Sequence, residues 1–268
     1  MSLVAVGSSR GAPGATTLTV ALAATWLAER EVVIWEADAA GGVLAARYGL
    51  GDQPGLSTLA ASTRLGRIRP EQLWDHTQQL PGGTPVVVGA ESAEQASVVL
   101  AAVGGHLAEW FQQQVTLDVL ADVGRLSPGS SSVAIAEYAD VTLLVARPRL
   151  EELRPAAHTL GTLASAGTKV AWVLVGSGPY GTDDVADAFG IEVAGVIPDD
   201  PDAADILATG GSSRALRQSL LIRSARSLAE NLAGRLDPQV AAAYPPPVDD
   251  AEQLAGGDEE EPQLGVVS

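Results

Sequence analysis

The chain has no cysteine, and its 268 residues include three histidines, two phenylalanines and one methionine. Without cysteine there is neither a disulfide nor a thiolate metal site. His76, His106 and His158 share no metal-ligand spacing, which leaves them as packing or surface residues. Long apolar runs are missing too, and a bilayer span needs roughly 20 residues. The opening residues run directly into a strand-like segment, with no basic leader or cleavage site, so a cytoplasmic location is the expectation.

Positive charge is scarce. The net charge is −17, and Lys169 is the only lysine, the other fifteen basic residues being arginine. Residues 241–268 hold seven acidic side chains (Asp249, Asp250, Glu252, Asp258, Glu259, Glu260, Glu261) and no Lys or Arg, so the body without them stands at −10. A body this acidic repels a phosphate backbone unless its arginines gather on one face, so direct DNA binding is disfavoured.

What the chain does have is apolar content, at 46%, enough for one large α/β core. Short apolar runs at 3–6, 31–36, 85–89, 115–123, 140–147 and 168–175 read as buried strands. Helical patterns separate them, among them 16–29, 43–48, 57–65, 70–78, 91–103, 106–114, 150–166 and a last one over 216–236. Strands alternating with helices predict a doubly wound, mostly parallel sheet with helices on both faces. The expected organisation is one domain over 1–240. Beyond Pro245-Pro246-Pro247, the acidic, Gly-containing stretch 241–268 reads as a disordered tail.

The first strand runs into Gly7-Ser8-Ser9-Arg10-Gly11-Ala12-Pro13-Gly14-Ala15-Thr16-Thr17 and then a helix with Leu18, Leu22, Trp26 and Leu27 on one face. Strand, glycine loop, helix is a phosphate-binding arrangement, because loop amides and the positive helix end point at an anion. Where a phosphate loop has Gly-Lys-Thr, this one reads Gly14-Ala15-Thr16. The second strand ends in Glu36-Ala37-Asp38-Ala39-Ala40-Gly41-Gly42. The 115–123 strand ends in Asp122-Val123-Gly124, an acid at the carboxyl end of an apolar strand. Parallel sheets gather ligands at those ends, so the glycine loop, Asp38 and Asp122 are expected to converge. Asp38 could equally cap the helix that follows it.

These motifs resemble the deviant phosphate loop of the ParA/MinD superfamily, Lys-Gly-Gly-x-Gly-Lys-Thr-Thr, and the resemblance runs over about 235 residues. It places Arg10 at the leading lysine, Gly11 and Gly14 at glycines, and Ala15 at the lysine that grips phosphate. Thr16 falls on the hydroxyl that holds magnesium, with Thr17 beside it. Asp38 would lie beside the γ-phosphate and attacking water, and Asp122 would orient magnesium-bound water. The stretch ending Val196-Ile197-Pro198-Asp199-Asp200 is similar to the family's base-side loop, which marks Pro198 as a nucleotide contact. The usual Asn at the end of the preceding strand is here Val175-Gly176. Arginine at position 10 fits a chain that avoids lysine; alanine at position 15 does not, since arginine was available.

Such proteins are ATP-dependent dimeric switches, so ATP and magnesium are the implied cofactors. Ala15 implies that binding is weak or absent and that hydrolysis is lost or very slow. The reading is a degenerate ParA/MinD-like protein, a homodimer acting in localisation, assembly or partitioning. Its partner would be a protein of a partitioning, division or pilus/secretion system, with TadZ/CpaE-type proteins the nearest in behaviour. An active switch ATPase with Arg10 replacing both lysines is the alternative. A dethiobiotin-synthetase-like ligase is disfavoured because such enzymes keep the phosphate lysine. The basic C-terminal amphipathic helix of membrane-tethered relatives is absent.

Overall fold

The computed structural model describes residues 3–10, 13–27, 29–64, 68–211 and 213–236. Gly11 and the stretch 241–268 lie outside them. β1 (Leu3–Ser8) leads through the glycine loop into α1 (Ala15–Thr25), followed by β2 (Glu31–Glu36), α2 (Leu44–Tyr48) and α3 (Leu56–Arg64). A 3-10 turn (Pro70–His76), β3 (Gln78–Gln79) and β4 (Pro85–Val87) precede α4 (Ala93–Gln112). Next come β5 (Leu117–Arg125), α5 (Ser131–Glu137), β6 (Val141–Ala146), α6 (Leu150–Ser165), β7 (Val170–Val175), α7 (Thr182–Phe189) and β8 (Val193–Ile197). Three helices close the described chain: α8 (Pro201–Ala208), α9 (Arg214–Gln218) and α10 (Leu220–Leu236).

The strands form one sheet in the order β3-β4-β2-β5-β1-β6-β7-β8. Only β3 is antiparallel to its neighbour. β1 is central, paired in parallel with β5 on one side and β6 on the other. Its side chains alternate between the two cores, as the two-residue period of a strand requires. Leu3 and Ala5 join the cluster under α4, α5 and α6, whereas Val4 and Val6 join the one under α1 and α10. β2 and β5 divide in the same way: Val33, Trp35, Val119 and Ala121 face the first cluster, and Ile34 and Leu120 the second. Continuous apolar runs are therefore what a doubly covered sheet needs. Trp35 and Phe111 stack tilted in the first cluster, with centroids 5.1 Å apart.

α1 buries Leu18, Val20, Ala21, Leu22 and Ala23 around most of its circumference. It is sandwiched between the sheet and α10, and a helix covered on both sides needs no polar stripe. α10 contributes Leu221, Ile222, Ala225, Leu228 and Leu232 to the same core, so its apolar face is used in packing. Among the described residues, no helix is long and apolar enough to cross a membrane.

The structure departs from the sequence expectations at several elements. α4 is one helix through Gly104-Gly105, where two were expected. A Cβ at Gly104 would stand 3.2 Å from Ile135 Cδ1, so this glycine serves the close approach of α5 instead of breaking the helix. The expected last helix is split at Ser219, whose hydroxyl accepts from the Ile222 amide at 3.2 Å and starts α10 anew. α5, α7, α8, β8 and the two-residue β3 were not expected. In the 3-10 turn Leu73 is buried while Trp74 beside it is 39% exposed.

At the amino end of the sheet, the buried Asp118 of β5 accepts from Trp26 Nε1 at 2.8 Å and from Arg30 Nη2 at 2.8 Å. Arg30 Nε donates to the same carboxylate. One acid thus ties the end of α1 to the start of β2. Replacing it leaves a buried indole N–H without its acceptor and a part-buried guanidinium without its carboxylate, which costs about 3 kcal/mol. Asp118→Ala is therefore expected to lower the urea-unfolding free energy by about that amount, with Arg30→Leu/Asp118→Leu losing much less.

Candidate functional site

Register brings the functional ends level. Val6 of β1 and Glu36 of β2 both pair with Asp122 of β5, and the Ala37 amide donates to the Asp122 carbonyl at 2.8 Å. Gly14 begins α1 in the left-handed region, at φ 98°, with no side-chain cap and no acid in the first turn. The amides of residues 15–17 have no acceptor within the helix, so the loop presents donors and a partial positive charge.

The Thr16 hydroxyl lies beside the Asp122 carboxyl, where α1 meets the end of β5, and favours its ionised form. The Asp122 carboxyl is 1% exposed. Burial pushes it up to about 7; the Thr16 hydroxyl and the Gly124 amide oppose this, and the charges of Glu36 and Asp38 add to it. A hydroxyl and a buried carboxylate side by side are hard oxygen donors of the kind magnesium takes alongside phosphate and water. The pair fits that ion. Among the described residues no further grouping of His, Asp or Glu suits a metal.

The two acids at the carboxyl end of β2 have different jobs. Glu36 is buried and accepts from the amides of Val43 at 2.6 Å, Leu44 at 2.8 Å and Gly89 at 2.7 Å. It therefore caps α2 and fastens the 37–43 loop. A Cβ at Gly42 would come within 2.5 Å of Glu36 Oε2, which explains the glycine there. Asp38 accepts from the Ala40 amide at 2.8 Å, so the helix-capping alternative for Asp38 falls to Glu36. Burial raises the Asp38 carboxyl, and the Ala40 amide and Arg125 hold it back. Its carboxylate lies on Gly124, whose φ is 57° and whose Cβ, if present, would sit 2.0 Å from Asp38 Cγ.

A second part of the site is a cavity of about 120 Å³ lined by Gly14, Thr17, Arg147, Val175, Pro198 and Leu221, among others. Its size suits a ring and not a whole nucleotide, since ligand pockets run to roughly 300–1,000 Å³. The structure thus brings Gly14 and Thr17 against Pro198, and Thr16 against Asp122 and its neighbour Asp38. Ala15 is buried at the first position of α1. Arg10 is exposed, and its carbonyl accepts from Ser8 Oγ at 2.7 Å.

Two arginines escaped the sequence reading. Arg125 at the end of β5 is the cation acting on Asp38. Arg147 after β6 lines the ring-sized cavity, its amide held by Glu152 Oε2 at 2.8 Å and its guanidinium 3.5 Å from Glu152 Oε1. Neither belongs to a local motif. The available signal was their position directly after a buried strand, at the sheet edge where ligands collect.

No family model and no curated protein matches the sequence. Solved structures do match. The cell division ATPase MinD of Pyrococcus furiosus superposes with a TM-score of 0.72, at 19% identity over 88% of this chain and 99% of that one. This is the ParA/MinD fold. A ParA family ATPase from Chlorobium tepidum TLS superposes at 0.66, with 18% identity over 85% of this chain and 98% of that one. The septum site-determining protein MinD of Pyrococcus horikoshii OT3, complexed with Mg-ADP, gives 0.65, with 17% identity over 89% and 98%. The doubly wound sheet expected from the sequence is therefore found, in the fold shared by these ATPases.

Two outcomes are expected from this cluster of carboxylates. The Asp122 carboxyl is raised from an ordinary value of 3.8 to about 7, so the folded chain holds that proton more tightly than the unfolded one. This stabilisation is complete below about pH 4 and is lost as pH climbs through about 7. Asp122→Asn keeps an acceptor for Thr16, so thermal melts from pH 4 to 8 should lose that slope, with Tm at pH 8 rising by about 5 °C. Gly124→Ala should destabilise by about 2 kcal/mol, through left-handed strain and the clash with Asp38. Adding Asp38→Gly should recover part of the loss in a double-mutant cycle.

Proposed function

We propose that this chain is a degenerate member of the ParA/MinD superfamily, serving as a localisation, assembly or partitioning factor whose nucleotide binding is weak and whose hydrolysis is absent or very slow. The observation that supports this is Ala15. The first residue of α1 is a buried methyl, where a phosphate-gripping lysine would bring a charge. One charge-assisted hydrogen bond is worth about 1.5–3 kcal/mol. Phosphoryl transfer depends on positioning and charge neutralisation, so more than this is lost in the transition state.

What remains suits holding an anion. Amides of residues 15–17 would face phosphate, Thr16 and Asp122 would hold magnesium, and Arg10 would offer a charge from the loop. Magnesium, when bound, supplies neutralisation of phosphate charge. Pro198 and Arg147 would flank the base, and Asp38 would sit where the attacking water is ordered. The reading includes a homodimer with a protein partner in a partitioning, division or pilus/secretion system, as in TadZ/CpaE-type proteins. A body charge of −10 weighs against direct DNA binding.

Phosphate release with Mg-ATP tests this. The native chain is expected to match Thr16→Ala at background, and Ala15→Lys to raise turnover at least about tenfold. Titration calorimetry with Mg-ADP should show Arg147→Ala weakening the native affinity by about tenfold. Magnesium-dependent turnover of the native chain, abolished by Thr16→Ala, would overturn the reading.

A further inference from the structure

A cavity of about 770 Å³ lies at the opposite end of the sheet from the phosphate loop. Trp26 and Leu27 from the end of α1, Val32 of β2, Trp74, and Pro81 and Pro85 around β4 form its apolar walls. Trp74 is 39% exposed. The turn between β3 and β4 is closed by Leu80 N to Thr84 O at 2.9 Å and Gly83 N to Leu80 O at 2.9 Å. Its tip is Gly82-Gly83, both at positive φ, so one rim of the groove carries no side chain. The result is a fixed groove with aromatic and proline walls.

We propose that this groove is the docking site of the chain's own segment 244–248, Tyr-Pro-Pro-Pro-Val. Topology brings the segment to the correct end. α10 packs on α1 and β8, and its last turn is held where Arg235 pairs with Glu192, one residue before β8. Glu31, the first residue of β2, lines the groove. β2 and β8 run parallel in one sheet, so both mark the same edge, and α1 and α10 share one face of it.

The reach is sufficient. β8 and β2 are five places apart in the strand order, which is about 24 Å at the usual strand spacing. Tyr244 lies eight residues beyond Leu236 and Val248 twelve, or about 25–37 Å of polyproline-like chain.

The chemistry matches as well. A proline run holds an extended, internally unbonded helix that loses little entropy on binding, and it packs on aromatic-lined grooves. Prolines bring no N–H to satisfy, and a half-exposed indole gains burial from their rings. Tethering over so short a span gives a local concentration in the millimolar range, so a weak contact suffices. Docking would also start the acidic run at Asp249 at the amino end of the sheet, away from the anion-binding loop. The site is separate from the phosphate loop, and this inference stands whether or not nucleotide binds.

A chain without cysteine allows a direct test in the full-length protein. Thr84→Cys/Val248→Cys places one thiol on the groove and one on the segment. Val98→Cys/Val248→Cys is the control, because Val98 is 69% exposed on α4, against the other face of the sheet. Under dilute oxidation the groove pair should form an intramolecular disulfide at least about tenfold faster than the control. Trp74→Ala, or Gly-Ser-Gly in place of residues 245–247, should bring it down to the control rate. Equal rates for the two pairs, or no response to the Pro replacement, would overturn the proposal. Disulfides formed only between two chains would overturn it in favour of a second copy.

Discussion

A buried acid at the meeting point of three strand ends is the constraint around which this protein is arranged. Asp122 ends the apolar part of β5, level with Val6 of β1 and Glu36 of β2. A carboxylate removed from water needs a partner or a proton. Here the Gly124 amide donates to it at 3.2 Å and the Thr16 hydroxyl favours its ionised form, while its charged neighbours Glu36 and Asp38 are of the same sign. Much of the local architecture answers that crowding. Glu36 is satisfied by the amides of Val43, Leu44 and Gly89, and Asp38 is tempered by Arg125. Gly124 and Gly42 are small because carboxylates occupy the space a Cβ would need. At the other end of β5, Asp118 is paired with Trp26 and Arg30. The same strand therefore carries a compensated acid at its amino end and an uncompensated one at its carboxyl end.

That asymmetry links the fold to the functional reading. An acid poised between charged and neutral is suited to accept a cation together with an anionic ligand, the chemistry of a magnesium–phosphate site. The helix that should complete it begins with a methyl at Ala15. On the proposed reading, the groups that would bind are kept while the one that would stabilise developing charge is missing, and Arg147 stands outside the loop, at the edge of the ring-sized cavity.

Much of this was legible in the residues themselves, for physical reasons. Buried parallel strands are continuous apolar runs, so β1, β2, β5, β6 and β7 stood out. Gly14, Thr16, Asp122 and Pro198 sit directly at the ends of such runs, where the fold concentrates ligand chemistry. Less legible features depended on contacts far apart in the chain. Gly104-Gly105 looks like a helix break until Ile135 is known to press on it. Glu36 reads as a site acid until its three amide partners are seen. Arg125 and Arg147 belong to no local pattern, and only strand order carries them to the loop. α7 and α8 are eight residues each and acidic at their starts, so each offers barely two turns in which an apolar face can show.

The most direct measurement is the titration of Asp122 itself, by carbon-13 NMR of aspartate side chains in the ligand-free protein, assigned with Asp122→Asn. The account predicts a midpoint near 7 for this carboxyl. It also predicts that the midpoint moves down when Ala15→Lys brings a cation to the start of α1. A native midpoint below the ordinary aspartate value would contradict it, because some cation would then already be compensating the buried charge.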